Sequence, residues 1–257
     1  MKIATWNVNS LTARLAHVLT WLAANPVDVL CLQELKMTDD KFPLDALREA
    51  GYESASFGQK TYNGVALLSR TPIRDVVKNI VGFEDEHSRV IAGTVDGPSG
   101  PIRVINGYFV NGQAPDSDKF VYKMAWLNGL QAYLRSEMAQ HPQLVLLGDF
   151  NITPEDQDSY DPIALAGTIH HTAEERAHFQ QLLALGLTDS FRMFEQPPKS
   201  FSWWDYRQLG YQKNRGLRID HILVSDAVKP QVKGCVVDRV PRKWEKPSDH
   251  APVILEI

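Results

Sequence analysis

Six short apolar runs in this sequence carry, at or near an end, residues able to do chemistry. Asn7 and Asn9 follow residues 3–6, Gln33 and Glu34 follow 27–32, Tyr108 and Asn111 follow 102–107, and Asp149 and Asn151 follow 144–148. Asp220 lies within 218–224, and Asp249 and His250 stand just before 253–257. Ends of neighbouring strands share one edge of a sheet, so side chains far apart in sequence can converge there. A single carboxylate after a strand is more often a turn residue or a helix cap. Repetition of the same placement points instead to a site. Carboxylates with amides, and little His or Cys, suit a hard oxygen-seeking cation such as Mg²⁺ or Mn²⁺. Magnesium takes only one or two protein carboxylates and leaves room for water and a substrate phosphate, a demand that Glu34 with Asn7 or Asn9 meets. One histidine beside an acid, Asp249-His250, suits proton transfer or phosphate contact better than zinc binding. Such a set is equipment for hydrolysing a phosphate ester.

The elements that must position these groups read as a mixture of strands and helices. Strand-length apolar runs occur at 27–32, 65–68, 89–95, 102–109, 144–147, 219–224 and 253–257, bounded by Gly, Pro, Asn or Asp. Leu11, Leu15, Val18, Leu19 and Leu22 follow a helical period that Pro26 ends. Phe120, Met124, Leu127, Leu130, Leu134 and Met138 form a second stripe, closed by Pro142. A third helix opens on the capping box Thr172-Ala173-Glu174-Glu175 and stops at Gly186. Val95-Asp96-Gly97-Pro98-Ser99-Gly100 lies between two strand-like runs and reads as a hairpin, so the sheet is not purely parallel. No Gly-x-Gly-x-x-Gly opens a helix, which removes support for a dinucleotide. With no linker or repeat, one mixed-sheet domain over 1–257 is expected.

Composition narrows the class further. The chain has 257 residues, 44% hydrophobic, enough for a sizeable core. No run approaches the length of a membrane span, and the N-terminus turns polar too early for a secretory signal. Cys31 and Cys235 are too few for a disulfide framework or a structural zinc cluster, and neither is assigned chemistry. The expected location is therefore the cytoplasm. The net charge of −4 conceals an asymmetry: residues 190–246 hold 12 basic and 6 acidic side chains, the remainder 15 basic and 25 acidic. Such a split can place a basic face beside an acidic site.

Seven segments together resemble the exonuclease III family. They are Thr5-Trp6-Asn7-Val8-Asn9-Ser10, Leu32-Gln33-Glu34, Asn106-Gly107-Tyr108, Leu147-Gly148-Asp149-Phe150-Asn151, Phe201-Ser202-Trp203-Trp204-Asp205-Tyr206, Asn214-Arg215-Gly216-Leu217-Arg218-Ile219-Asp220 and Ser248-Asp249-His250-Ala251-Pro252. They stand in that family's order and spacing and cover nearly the whole chain. The resemblance implies the α/β (α+β) fold of the endonuclease/exonuclease/phosphatase superfamily, a four-layer sandwich of two mixed β-sheets packed face to face and flanked by helices. It also implies a Mg²⁺-dependent DNA repair phosphodiesterase, with Mn²⁺ as a substitute. Its activities would be 3′–5′ exonuclease on duplex DNA and 3′-end processing in base excision repair. The implied partner is double-stranded DNA with damaged or 3′-blocked ends, bound by a monomer without an organic cofactor or membrane, in a bacterial-type cell interior at the nucleoid.

Carried over residue by residue, the resemblance makes Glu34 the principal metal ligand with Asn7. Asp149, Asn151, Asp249 and His250 lie at the metal end. Asn9 stands where some relatives carry Asp, so that position loses a charge. Asp149 would orient or deprotonate the attacking water, with Asn151 beside it. His250, fixed and charged by Asp220, would donate to a non-bridging phosphate oxygen, and Tyr108 and Asn111 would contact the phosphate or leaving oxygen. The physics agrees: in-line attack develops charge that a cation, an imidazolium and amide donors neutralise, and an Asp beside a His raises the imidazole pKa.

DNA binding is expected from Phe201, Trp203, Trp204, Tyr206 and Tyr211 interleaved with Lys199, Arg207, Lys213, Arg215 and Arg218. Adjacent strand residues face opposite ways, so one of Trp203 and Trp204 is expected in the core. By resemblance, Trp203, Leu217 and Ile219 would line a small apolar pocket for a base-less sugar or terminal deoxyribose. His170 stands where the family usually has a small residue, and Val110 where relatives often have Pro. A ring at 170 would obstruct incision at internal abasic sites while leaving 3′-end processing intact; the alternative is a helix-cap histidine with no DNA role. Two other functions use similar residues: a superfamily phosphatase acting on a phosphoinositide or other small phosphoester, and a non-catalytic nucleic-acid-binding module. No apolar insertion loop supports a lipid substrate, and a binding module leaves Glu34, Asp149, Asp249 and His250 without a purpose.

Overall fold

The computed structural model describes residues 1–257. In chain order its elements are β1 (Lys2–Asn7), α1 (Leu11–Ala24), β2 (Val29–Gln33), α2 (Leu44–Glu49), β3 (Glu53–Phe57), β4 (Val65–Ser69), β5 (Arg74–Lys78), β6 (Val90–Gly97) and β7 (Gly100–Tyr108). There follow α3 (Asp118–Gln140), β8 (Leu144–Asp149), α4 (Pro162–Leu165), α5 (Ala173–Ala184) and β9 (Leu187–Asp189). The chain ends with β10 (Trp203–Trp204), β11 (Gly216–Leu217), β12 (Asp220–Ser225), β13 (Gly234–Val237) and β14 (Val253–Glu256). Two six-stranded sheets, ordered β13-β14-β1-β2-β4-β3 and β5-β6-β7-β8-β12-β9, form the body, and β10 and β11 pair separately. The β1–β2 and β7–β8 pairs are parallel and the others antiparallel, as a mixed sheet requires. The β6–β7 hairpin pairs Gly97 with Gly100, so the turn read at that point is confirmed.

Period-two alternation explains why the strands read as unbroken apolar runs. Ile3, Val29, Cys31, Val65 and Leu67 of the first sheet meet Ile91, Val104, Val145, Leu147 and Ile222 of the second in a core between the sheets. Their neighbours point the other way. Ala4, Leu30, Leu32 and Leu68 pack outward on Val18, Trp21 and Leu22 of α1 and Leu47 of α2. Ile105, Leu144, Leu146 and Leu223 pack on Trp126, Leu127, Leu130 and Leu134 of α3 and Phe179 and Leu182 of α5. Both faces of each sheet are covered, which gives the four layers expected. Truncating a core leucine such as Leu127, which is 1% exposed, should cost about 2–5 kcal/mol.

Local signals set the helix ends. Ser10 and Ser117 cap α1 and α3 through their hydroxyls, and Thr172 with Glu175 forms the capping box of α5. A polar bolt joins the sheets at one end. Gln33 Nε2 donates to Asn106 Oδ1 at 2.7 Å, and Asn106 Nδ2 donates to the carbonyls of Leu32 and Ala66 at 2.9 Å. Both amides are fully buried, and the bonds of their Nδ2 and Nε2 groups and of Asn106 Oδ1 offset that burial, while Gln33 Oε1 has no partner.

Candidate active site

The functional side chains gather at that bolted end, from both sheets. Asn7 ends β1, Glu34 follows β2, Tyr108 ends β7, Asp149 ends β8 and Asp220 begins β12 opposite Asp149. Asn7 Nδ2 donates to Glu34 Oε1 and to Asp149 Oδ2, both at 2.9 Å, tying an acid from each sheet to one amide. Oxygen and nitrogen donors of Glu34, Asp149 and His250 lie within 4.8 Å of one another, a candidate acidic and histidine metal site. Burial raises the Asp149 carboxyl to about 7; Asp220 and Glu34 push the same way, against the charge of His250 and the amide of Asn7. A carboxylate that resists ionisation among other acids is what a cation would relieve. The donor set fits a hard divalent ion.

His250 sits between two acids. Its Nδ1–H donates to Asp220 Oδ2 at 2.9 Å, and its Nε2 is 3.7 Å from Asp149 Oδ2. Burial alone would lower this imidazole, but Asp220 and Asp149 outweigh it and raise it to about 10. The start of β12 is held in turn by Ser202, whose Oγ accepts the backbone N–H groups of Ile219 and Asp220. The Nδ1–H bond to Asp220 turns Nε2 towards Asp149 and the centre, where it can donate to a phosphate oxygen or join Glu34 and Asp149 around a cation. Asp249 is drawn aside: its Oδ1 accepts from Asn9 Nδ2 at 3.0 Å and its Oδ2 from Trp203 Nε1 at 2.9 Å. It lies outside the compact group of Glu34, Asp149 and His250.

Two amides and a phenol face the same centre. Asn151, in the left-handed region at φ 51°, donates its N–H to Asp149 Oδ1 at 3.0 Å and accepts Asn111 Nδ2 on its Oδ1 at 3.2 Å. Burial, then the charges of Glu34 and Asp149, push the Tyr108 hydroxyl well up, which keeps it a proton donor. Gly148 explains how Tyr108 and Asp149 come to be paired across β7 and β8. A Cβ at Gly148 would stand 1.9 Å from the Gly107 carbonyl oxygen, so the two strand ends approach as only glycine allows.

A pocket of about 440 Å³ lies beside this centre, lined by Trp203, Leu217, Ile169, His170, Arg207 and Arg215 among others. Trp204 is fully buried while its neighbour Trp203 reaches the pocket, as alternation along a strand requires. Ile219, expected to line the pocket, is buried and absent from its wall. Arg207 and Arg215 are exposed at the rim, and Arg207 pairs with Asp205. Arg218, counted among the DNA-facing cations, is fully buried and paired with Asp158 and Asp189. His170 is no helix cap, since Thr172 fills that position. Its Nδ1–H donates to the Asn151 carbonyl at 2.7 Å, and burial and Lys123 lower its pKa to about 3, so the ring is neutral.

Three contributors escaped the sequence reading. Lys36 Nζ bridges Glu34 Oε2 at 2.9 Å and Asn9 Oδ1 at 2.6 Å, tying the two side chains together and partly neutralising Glu34. His221 Nε2–H donates to the Ile152 carbonyl at 2.9 Å, bracing the segment after Asp149. Ser202 was visible only as part of an aromatic segment. Nothing in the spacing of these residues marks them, because each acts through a contact made across the fold.

The model of the endonuclease/exonuclease/phosphatase family matches residues 4–250. Exodeoxyribonuclease III of Haemophilus influenzae is 36% identical over 265 residues, covering 100% of this chain and 99% of that protein. Among solved structures, the 3′ phosphatase NExo from Neisseria bound to a product DNA hairpin is 51% identical with a TM-score of 0.97, covering 100% of this chain and 99% of that one. An AP endonuclease from Archaeoglobus fulgidus is 34% identical with a TM-score of 0.94, covering 99% and 98%. With an acid from each sheet meeting at Asn7 and likeness along its whole length, the chain belongs to the exonuclease III family of endonuclease/exonuclease/phosphatase proteins.

Proposed function

We propose that this protein is a Mg²⁺-dependent DNA repair hydrolase that removes nucleotides and blocking phosphates from 3′ ends of duplex DNA. The reading rests on one observation above others: Asp149, poised near neutrality, is 3.7 Å from an imidazolium and shares an amide with Glu34. Asp149 takes the proton of the attacking water. His250 donates to a non-bridging oxygen, and Asp220 keeps it charged. The Tyr108 hydroxyl and the amides of Asn111 and Asn151 contact the phosphate. Glu34 with Asn7 and Asp149 would hold the metal, which when bound neutralises charge developing on the phosphate and leaving oxygens. The attacked bond opens to leave a 3′-hydroxyl.

The adjoining pocket favours a terminal sugar. Trp203 and Leu217 supply apolar walls, and Arg207 and Arg215 supply cations for the backbone. His170 narrows the same wall, its ring fixed on the Asn151 carbonyl, which disfavours incision within continuous abasic DNA. The name of the Neisseria relative agrees with end processing and that of the Archaeoglobus relative with abasic-site cleavage, so substrate choice is the matter to measure. The test is hydrolysis of 3′-labelled duplexes with blunt, recessed or 3′-phosphate ends, or with an internal abasic site, with Mg²⁺ and with EDTA. Metal-dependent 3′ processing stronger than abasic incision is expected. Turnover of an inositol phosphate without turnover of DNA would overturn the reading, and complete inertness would leave a binding module.

A further inference from the structure

The two amides at the phosphate end of the site share a buried tether. Lys123 of α3 is completely buried. Its ammonium donates to the Asn151 carbonyl at 2.7 Å and to the Asn111 carbonyl at 3.2 Å, and its remaining bond goes to Glu175 Oε1. All three of its protons are thereby used. The other oxygen of Glu175 accepts from the N–H and hydroxyl of Thr172 at 3.1 and 2.9 Å, closing the capping box of α5. The Asn151 carbonyl also receives His170 Nδ1, and the Thr153 N–H donates to the His170 carbonyl at 2.9 Å. One cation therefore joins two helices to the loops that carry Asn111, Asn151 and His170.

Stability is a weak reason for this arrangement. Desolvation of a buried ion pair offsets most of its attraction, and well-packed apolar groups of similar volume would hold α3 against α5 comparably. Apolar groups could not fix two carbonyls. The Asn151 backbone is left-handed, and its amide is oriented by donating to the Phe109 carbonyl at 3.0 Å and accepting Asn111 Nδ2 at 3.2 Å, so the tether's part is to hold the two backbones that carry this amide pair in place.

We infer that Lys123, neutralised by Glu175, is a positioning residue for hydrolysis: it fixes the Asn111 and Asn151 backbones so that both amides face the phosphate. The inference rests on the reading of those amides as phosphate contacts. Removing Lys123 alone strands the glutamate charge, so the informative variant is Lys123→Met with Glu175→Gln, accompanied by Glu175→Gln alone and checked for folding by thermal unfolding. On 3′-phosphate duplex DNA, kcat of the double variant should fall about 10²-fold with KM changed by less than about threefold, and Glu175→Gln should show a smaller loss of the same kind. In an Asn111→Ala/Asn151→Ala background the same substitutions should cost little more, because the tether acts through those two amides. Losses that simply multiply, or an unchanged kcat, would overturn the inference, and Glu175→Gln decides by the same criteria if the double variant does not fold. Hydrogen exchange of residues 150–153 without substrate should quicken in the variants, and unchanged exchange would count equally against the tether. If wild type hydrolyses no DNA, the functional reading has failed, and exchange alone decides the tether.

Discussion

His250 Nε2 stands 3.7 Å from Asp149 Oδ2, a distance that lets the imidazolium and the carboxylate serve one phosphate from adjacent positions. Their charges support each other, yet burial and neighbouring acids raise Asp149 to about 7 while Asp220 and Asp149 raise His250 to about 10. The proposed mechanism needs Asp149 ionised and His250 protonated. The rate is therefore expected to rise with pH towards about 7 and to fall through about 10. Raising Mg²⁺ should move the acid limb down, since a cation favours the carboxylate. Asp220→Asn should lower kcat about 10²–10³-fold and bring the alkaline limb down with it. A full pH profile of kcat at two metal concentrations checks both.

Stability should respond to Asp149 in the opposite sense from activity. Its folded pKa lies above the unfolded value of about 3.9, so its contribution is fully present below that pH and is lost as pH rises through about 7. At pH 8 without metal the native protein carries a buried, crowded carboxylate. Asp149→Asn should then stabilise the metal-free protein, on the order of 2 kcal/mol, with the difference fading towards pH 4 while catalysis is abolished. Denaturant unfolding at the two pH values measures it.

Metal affinity should depend on Glu34. The residue meets Asn7 at 2.9 Å and Lys36 at 2.9 Å, so it is already oriented towards the centre. Glu34→Gln should weaken Mn²⁺ binding at least about tenfold, read by titration calorimetry on the free protein. An unaltered affinity would remove Glu34 from the metal site.

Substrate preference should turn on His170. Its φ of 71° lies in the left-handed region, which glycine takes without strain, so His170→Gly removes the ring without disturbing the turn. The ratio of abasic incision to 3′-phosphate release should rise about tenfold or more. A ratio that stays put would return His170 to a purely local role.

Backbone affinity should follow the exposed cations at the pocket rim. Arg207→Ala and Arg215→Ala should each weaken DNA binding regardless of sequence and reduce the slope of log affinity against log salt by about one. Arg218→Ala should act differently, as a folding defect, because it strands Asp158 and Asp189 in the interior. Binding isotherms at several salt concentrations, beside melting curves, separate the two effects.

Most of the centre was legible because strand ends are written plainly in sequence. Asn7, Glu34, Tyr108, Asp149 and Asp220 each sit where an apolar run stops or starts, and sheet geometry then brings those ends together. The long helices were equally readable, since capping residues and apolar stripes are local signals. Edge strands β3 and β5 escaped because they lack an apolar run, β3 being mostly half-buried and β5 mostly exposed. Arg218, read from its place among aromatics, and Ile219, carried over by resemblance, were misjudged because neither signal reveals which way a side chain turns. Lys123 was hidden within the α3 stripe as an ordinary polar position, and only its distant partners disclose its place.

The Gln33–Asn106 bolt has a consequence for how such a molecule can vary. Two greasy slabs pressed together have no preferred alignment, because apolar contact carries little direction. Hydrogen bonds do have direction, so this crosslink singles out one alignment of the slabs. Since reactive groups come from both slabs, a slip of an ångström between them would detune the chemistry with every strand still perfectly formed. Catalytic competence here can thus be lost by sliding, without any unfolding.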